Sequence, residues 1–544
     1  MAERGHDVAA SEHEETIAPS APRRGGRRIR NLALGFAASV LVIVAALFIH
    51  DVVSRPYPWL NHDVSLLTYL GFDILEGSRL YVDTYELNPP GAHFLQAAIL
   101  GISRVFSMSE ILTHHLFVLL LGVAGMAVLQ AAFPRAEDDA AFALVLLAYL
   151  LVIVRGHFAN NVLPAAPGLP YDFGQREHLF SILFVPYLLW SVVGRRASRA
   201  ILPYLALLGY VAMFKPYWPV LVVGVEAYVV IRHGRRSSAA YGAVATGLLA
   251  PFVILALHSY RSFVVFFGEQ VPMVLGGSYS PYDMAFGEFA LSPLHVQMAS
   301  AGVLFVLCWW GCMRLRLLDR FSLGLLLAVA LTTYLSVIHQ HKFWSYHGMV
   351  YFAVVAVAGV FQLTVLVDGA LEESWRWPAR AAVAVALLSV VGTSVHGVAR
   401  LLEERTPKGS ELVPVLRNEG SVMFFSTAAD YVYAPLYLKK PTVGPWREHF
   451  ALPALLAIED PGRRRDALRA YGRRVKARID EARPDLLLFA PYRHALPPGV
   501  TIHDVLEANG AIPKADYVRL PGEWLAAGDP RLRGWVAYRR VEGR

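Results

Sequence analysis

The strongest constraint on this chain is a succession of twelve apolar blocks, at roughly 31–53, 91–106, 109–131, 138–155, 177–193, 200–213, 216–231, 239–258, 296–313, 320–338, 347–366 and 379–399. A hydrocarbon core about 30 Å thick takes about 17–25 helical residues at 1.5 Å per residue, which is the length of such blocks. Only 17% of the 544 residues are charged, and the mean hydropathy is +0.42. A soluble protein carries about a quarter charged residues. Here the charges gather after residue 399. The pattern specifies a polytopic α-helical membrane protein.

Basic residues flanking spans mark the cytoplasmic side. Residues 1–30 are polar, end in PRRGGRRIR and are expected to be a disordered cytoplasmic N-terminus. The block after them is too long for a cleavable signal and lacks a small-residue cleavage site. The short basic connectors GRRASR (194–199), RHGRR (232–236) and RLRLLDR (314–320) go to the same side. The first loop, 54–90, then lies outside, with YDFGQREH (171–178), KPYW (215–218), the loop 259–295, HQHKFWSYH (339–347) and the tail. Twelve blocks starting inside would finish inside, whereas the loop charges put the later half in the opposite phase. One block between 91 and 176 is therefore miscounted, and Pro and Gly in 156–176 suit a broken path there. Eleven or thirteen spans are expected.

The membrane module covers 31–399, and 400–544 is expected to form a small extracytoplasmic α/β domain. VMFFST (422–427), DLLLFA (485–490) and WVAYRR (535–540) read as short buried strands. Residues 462–482 read as a basic amphipathic helix, either solvated or resting on anionic headgroups. Cys308 and Cys312 share one helix face and read as packing residues, since their spacing is neither a redox pair nor a metal set. The net charge of +7 lies largely in the termini and short loops, with no basic stripe interleaved with aromatics, so no nucleic-acid partner is expected.

Three outer loops hold polar groups that a plain connector does not need. The first is NHDVSLLTYLGFDILEGSRLYVDTYELNPPG (61–91). Asp63 precedes an apolar-periodic run, which predicts a short helix along the membrane surface. Asp63 then either caps that helix or does chemistry. Asn88-Pro89-Pro90-Gly91 opens the next block, because proline is tolerated at the first helical turn. The second loop supplies Asp172, Gln175, Arg176, Glu177 and His178. Arg176 is either a snorkelling interfacial anchor or a phosphate ligand, for which its planar fork is suited. The third supplies His339, His341, Lys342, Tyr346 and His347. The histidine spacing fits no usual metal set, whereas a cation with His and Tyr donors suits a lipid phosphate. Interfacial anchoring is the plainer reading of Trp344 and Tyr346. Lys215 is a further candidate cation.

The order Asp63, Gly77, Tyr81-Val82-Asp83, Asn88-Pro89-Pro90-Gly91 resembles the first external loop of the GT-C superfamily of polyprenyl-phosphate-sugar-dependent glycosyltransferases. The similarity is to the protein O-mannosyltransferase and lipid A aminoarabinose transferase type. His62-Asp63 departs from the paired acids often found there, and no Asp-x-Asp motif occurs in a later outer loop. The resemblance implies sugar transfer from a polyprenyl-phosphate donor to a glycan, lipid or protein acceptor outside a bacterial inner membrane. It implies an inverting single displacement with no divalent metal. On this reading Asp63 is the general base, with Asp83 second. Arg176, Lys342, Lys215, His347 and Tyr346 hold the donor phosphate. His62, Glu86, Asp172, Gln175, Glu177 and His341 support them. The competing classes are a transporter or flippase for a lipid-linked or anionic solute, and a scaffold whose tail does the work. A transporter places its ionisable groups near the bilayer midplane and often shows paired halves; here they cluster in outer loops.

Overall fold

The computed structural model describes residues 24–133, 139–155, 172–193, 199–234, 237–275, 280–342, 344–428, 431–440, 442–444, 449, 451–491 and 496–541. Residues 156–171 of the expected broken path at 156–176 lie outside them, as do most of the N-terminus and residues 194–198 of the connector 194–199.

The membrane module consists of α1 Arg24–Ser54, α2 His62–Leu75, α3 Gly91–Val105, α4 Glu110–Ala132, α5 Asp139–Arg155, α6 Arg176–Val192, α7 Leu202–Ala212, α8 Trp218–His233 and α9 Ser238–His258. Short helices α10 Tyr260–Val265, α11 Val271–Leu275 and α12 Phe286–Ala290 follow, then α13 Pro293–Arg314, α14 Arg320–His339, α15 Met349–Ala370 and α16 Glu373–Glu404. Among the described residues, seven helices are long and apolar enough to cross a membrane. Large side chains such as Phe48, Tyr149, Trp190 and Trp218 fill the common core.

α3, only 15 residues long, is not among the helices long enough to span and packs along α2. Thr68 Oγ1 donates to Gln96 Oε1 at 3.2 Å, and Arg104 Nη2 pairs with Glu76 Oε1 at 2.7 Å, each pair 28 residues apart. A constant offset means that α3 runs parallel to α2 and at its side. A Cβ on Gly71 would lie 2.7 Å from Ala97 N, so the two backbones touch there. The Asn61–Gln175 and Asn88–Arg176 bonds join the first polar loop to the second, so the two lie at one end of the helical module.

The tail builds a four-stranded sheet of β1 Val422–Phe425, β2 Leu486–Phe489, β3 Tyr517–Arg519 and β4 Val536–Arg540, in the order β1-β2-β4-β3. β1 and β2 are parallel, with Val422 opposite Leu486, and the other pairings are antiparallel. The three expected strands are present and β3 is additional. Helices α17 Val413–Leu416, α18 Tyr433–Leu438, α19 Ala451–Leu456, α20 Pro461–Ala482, α21 Ile502–Ala508 and α22 Gly522–Gly528 accompany the sheet. α20 is the basic helix, started by the Asp460 cap, and it buries Tyr471, Val475 and Ile479.

α2 is not laid on lipid alone. Val64, Leu66, Tyr69 and Leu70 share one apolar cluster with Leu412, Val422, Phe424, Tyr433 and Leu486 of the tail. Each fully buried side chain of this size contributes about 1.5–3 kcal/mol. Tyr69 Oη also donates to Thr442 Oγ1 at 2.9 Å, Tyr433 Oη to the Pro58 carbonyl at 2.7 Å, and Lys439 pairs with Glu110 at 2.8 Å. The sheet domain therefore sits on the side that carries the first loop.

Candidate active site

The cap of α2 is Asn61, whose side chain accepts from Asp63 N at 2.9 Å and Val64 N at 3.4 Å. Asp63 lies one position inside the helix, in the first turn, and its carboxylate is not used for capping. Its Oδ1 is 3.3 Å from His62 Nε2, while its Oδ2 is buried and has no hydrogen-bond partner among the described residues. An unsatisfied buried acceptor costs about 1–3 kcal/mol, so such an atom marks a place where packing alone does not explain the residue.

Asn61 also joins the first loop to the second. Gln175 Nε2 donates to Asn61 Oδ1 at 3.0 Å and to Asp172 Oδ1 at 3.1 Å, and Asn61 Nδ2 reaches the same Asp172 oxygen at 3.3 Å. All three side chains are buried. Gly174 turns the chain here with φ +78°, and a Cβ at that position would meet His114 Nε2 at 2.1 Å. His178 accepts from Gly174 N at 2.9 Å through Nδ1, so its Nε2 carries the proton donated to the Val152 carbonyl at 2.8 Å. His178 is thus a structural residue that anchors this loop to α5.

This scaffold presents Arg176 and Glu177 at the start of α6. Arg176 Nη1 donates to Asn88 Oδ1, and its guanidinium lies in the field of Glu177, Tyr346, Asp63 and Glu86. Glu177 is buried and pairs with Lys215 Nζ at 3.4 Å. Lys215 feels Arg176 and Lys342 as well, and His347 feels Lys215, Lys342 and Arg176. The charges tie residues from all three polar loops and from KPYW into one cluster. Trp344, Tyr346 and His347 form an aromatic edge to it, with ring centroids 4.6–5.7 Å apart.

Burial, then the Arg176 charge, lowers the Lys215 ammonium to about 8. The group is charged below that value and neutral above it. Anion binding at the cluster should therefore weaken as pH rises through about 8. Lys215→Arg should flatten that profile, because guanidinium stays charged. Affinity for a polyprenyl phosphate measured from pH 6.5 to 9.5 checks this, and equal slopes in the two proteins would refute it.

Of the other sequence candidates, Asp83 stands apart from this cluster. Asp83 accepts from Arg79 N, Nε and Nη2 at 2.8, 2.9 and 2.7 Å, and this pairing holds its carboxyl below the usual range. Its charge is committed to the loop, within the field of Arg478 on α20. Glu86 is buried, which raises its pKa, and it accepts from Leu87 N and from two nitrogens of Asn88. Lys342 is half-buried, a condition that lowers its pKa against the raising effect of Asp283. His341 is exposed, with φ 53° and its carbonyl bonded to Met284 N at 2.6 Å. The sequence reading missed Asn61, Asn88 and Tyr217, the last of which lies in the field of Glu177 and Arg176. Asn61 carried a signal, since asparagine is among the preferred caps.

No family model matches the chain, and no curated protein matches it. Among solved structures, ArnT from Cupriavidus metallidurans bound to undecaprenyl phosphate is 14% identical over 96% of this chain and 99% of that one, with a TM-score of 0.47. The apo state of the same protein is 15% identical over 94% and 98%, with a TM-score of 0.49.

Proposed function

We propose that this protein transfers a sugar from a polyprenyl-phosphate donor to a cell-envelope acceptor at the outer face of a bacterial inner membrane, as a GT-C type glycosyltransferase. The observation that carries the reading is the convergence of Arg176, Lys215 and Lys342 with a carboxylate, Asp63, that does not cap its helix and whose second oxygen has no hydrogen-bond partner among the described residues. The order of residues in 61–91 points the same way.

The donor's lipid tail lies in the bilayer, which brings its phosphate to the helix ends where these cations stand. Sugar–phosphate cleavage builds negative charge on the departing phosphate, and fixed cations in a water-poor site stabilise it. The acceptor hydroxyl must lose a proton as it attacks the anomeric carbon, and Asp63 accepts it. One base without a separate nucleophile gives a single displacement with inversion. Asp83, held by Arg79, is the poorer base. The cations supply the positive charge, so the reading calls for no divalent metal.

The test uses the purified full chain in lipid nanodiscs, a radiolabelled polyprenyl-phosphate sugar and a panel of envelope acceptors. Label should move to one acceptor with release of polyprenyl phosphate, and excess chelator should leave the rate unchanged. In proteoliposomes, passage of intact donor across the bilayer with no transfer would replace this reading by a flippase.

A further inference from the structure

We infer that Asn88 is a positioning residue, locked by Glu86 and Tyr81, which fixes the Arg176 guanidinium towards the donor phosphate. The inference rests on the reading of Arg176 as a phosphate ligand.

Asn88 has four polar atoms, and three are taken by its own loop. Its backbone N–H donates to Glu86 Oε1 at 2.7 Å, and its Nδ2 donates to the same oxygen at 2.6 Å. Tyr81 Oη donates to the Asn88 carbonyl at 2.5 Å. The fourth atom, Oδ1, accepts from Arg176 Nη1. A carboxylate only accepts, so Glu86 dictates which end of the amide faces it and leaves the oxygen turned to the arginine. The flipped amide would set an N–H against a guanidinium N–H and a carbonyl oxygen against Glu86. Pro89 adds a backbone restraint, because the residue before proline is confined to extended conformations.

The lock itself is held under tension that a plain turn does not need. Tyr81 has φ 68°, which is uncommon for any residue but glycine. Its ring is buried against Phe266, with centroids 4.9 Å apart, and its hydroxyl reaches Asn88. Glu86 is only 2% exposed, so its charge is kept out of water where a solvated loop would leave it outside. Arginine carries five N–H donors, and one bond to Asn88 orients the fork while leaving the others available. Holding the fork before the ligand arrives removes part of the ordering cost of binding.

The experiment is a double-mutant cycle on the full chain in nanodiscs, with undecaprenyl phosphate as the binding probe. Asn88→Ala should weaken the affinity about tenfold, the scale of a hydrogen bond to a charged group. Arg176→Gln should weaken it more, and the double variant should bind no worse than Arg176→Gln alone. In turnover assays Asn88→Ala should raise the donor KM and leave the acceptor KM unchanged, a split that a general loss of loop structure would not give. If Asn88→Ala does not fold, Glu86→Gln carries the test. Its shape is kept and its acceptor-only lock is lost, so it should weaken binding and again add nothing to Arg176→Gln. Additive losses, or unchanged affinity in the Asn88 variant, would overturn the inference. Wild-type affinity in Arg176→Gln would instead remove the phosphate-clamp reading beneath it.

Discussion

Asp63→Asn is expected to cut sugar transfer by about 10²–10⁴-fold, the range set by loss of a general base, while undecaprenyl phosphate still binds nearly as in the wild type. The substitution keeps the shape of the side chain and exchanges a proton acceptor for an amide. The helix should survive it, because the cap is Asn61 and the apolar contacts of Val64, Leu66, Tyr69 and Leu70 are untouched. Removing a carboxylate from the first turn of α2 forfeits about 0.3–1 kcal/mol of interaction with the helix dipole. That is small beside the burial that holds α2 between α3 and the sheet domain. The decisive measurement pairs an initial rate at saturating donor with a melting curve. A large fall in rate at an unchanged melting temperature supports the base. Retention of full activity would remove Asp63 from the chemistry and move attention to Glu177, a buried carboxylate of the cluster paired with Lys215.

The sequence made some levels of this molecule plain and hid others. Apolar block length fixed the helices, because a bilayer demands that length whatever the tertiary arrangement. Short continuous apolar runs marked VMFF and LLLF, which are buried at every position, and the end of the chain marked VAYRR, while Tyr517–Arg519, short and mostly exposed, left little pattern to read. α3 reads in sequence as a span, since its block is as apolar as a short one, and in the structure it packs along α2. The clue lay in His93, Gln96 and Arg104, of which Gln96 and Arg104 bond to α2. In the site, each loop announced itself as a polar interruption. What could not be read was the pairing between loops. The Asn61–Gln175 and Asn88–Arg176 bonds join residues 114 and 88 positions apart, and no local pattern encodes such partners. The sequence reading weighed Asp63 as the cap, and the backbone geometry gives that role to Asn61, two residues earlier.

Arg176→Gln is the second large effect, an expected loss of about 10²–10³-fold in kcat/KM for the donor, the scale for removing a preorganised group that meets developing charge. Three carboxylates, Glu177, Asp63 and Glu86, lie in the field of this one guanidinium. Without it the cluster keeps Lys215, paired with Glu177 at 3.4 Å, and Lys342. An incoming phosphate would then meet less positive charge beside the same acids, so affinity and transition-state stabilisation fall together. Arg176→Lys separates charge from geometry: it restores the charge but not the planar fork, and should recover only part of the loss. The acceptor KM should stay constant in both variants, because the acceptor meets Asp63 rather than the cations. A purely structural Arg176, present only to neutralise its neighbours, predicts something else. The Gln variant would then melt at a lower temperature, and the surviving folded fraction would show an unaltered donor KM. Donor kinetics normalised to folded protein therefore distinguish a phosphate ligand from a counter-charge.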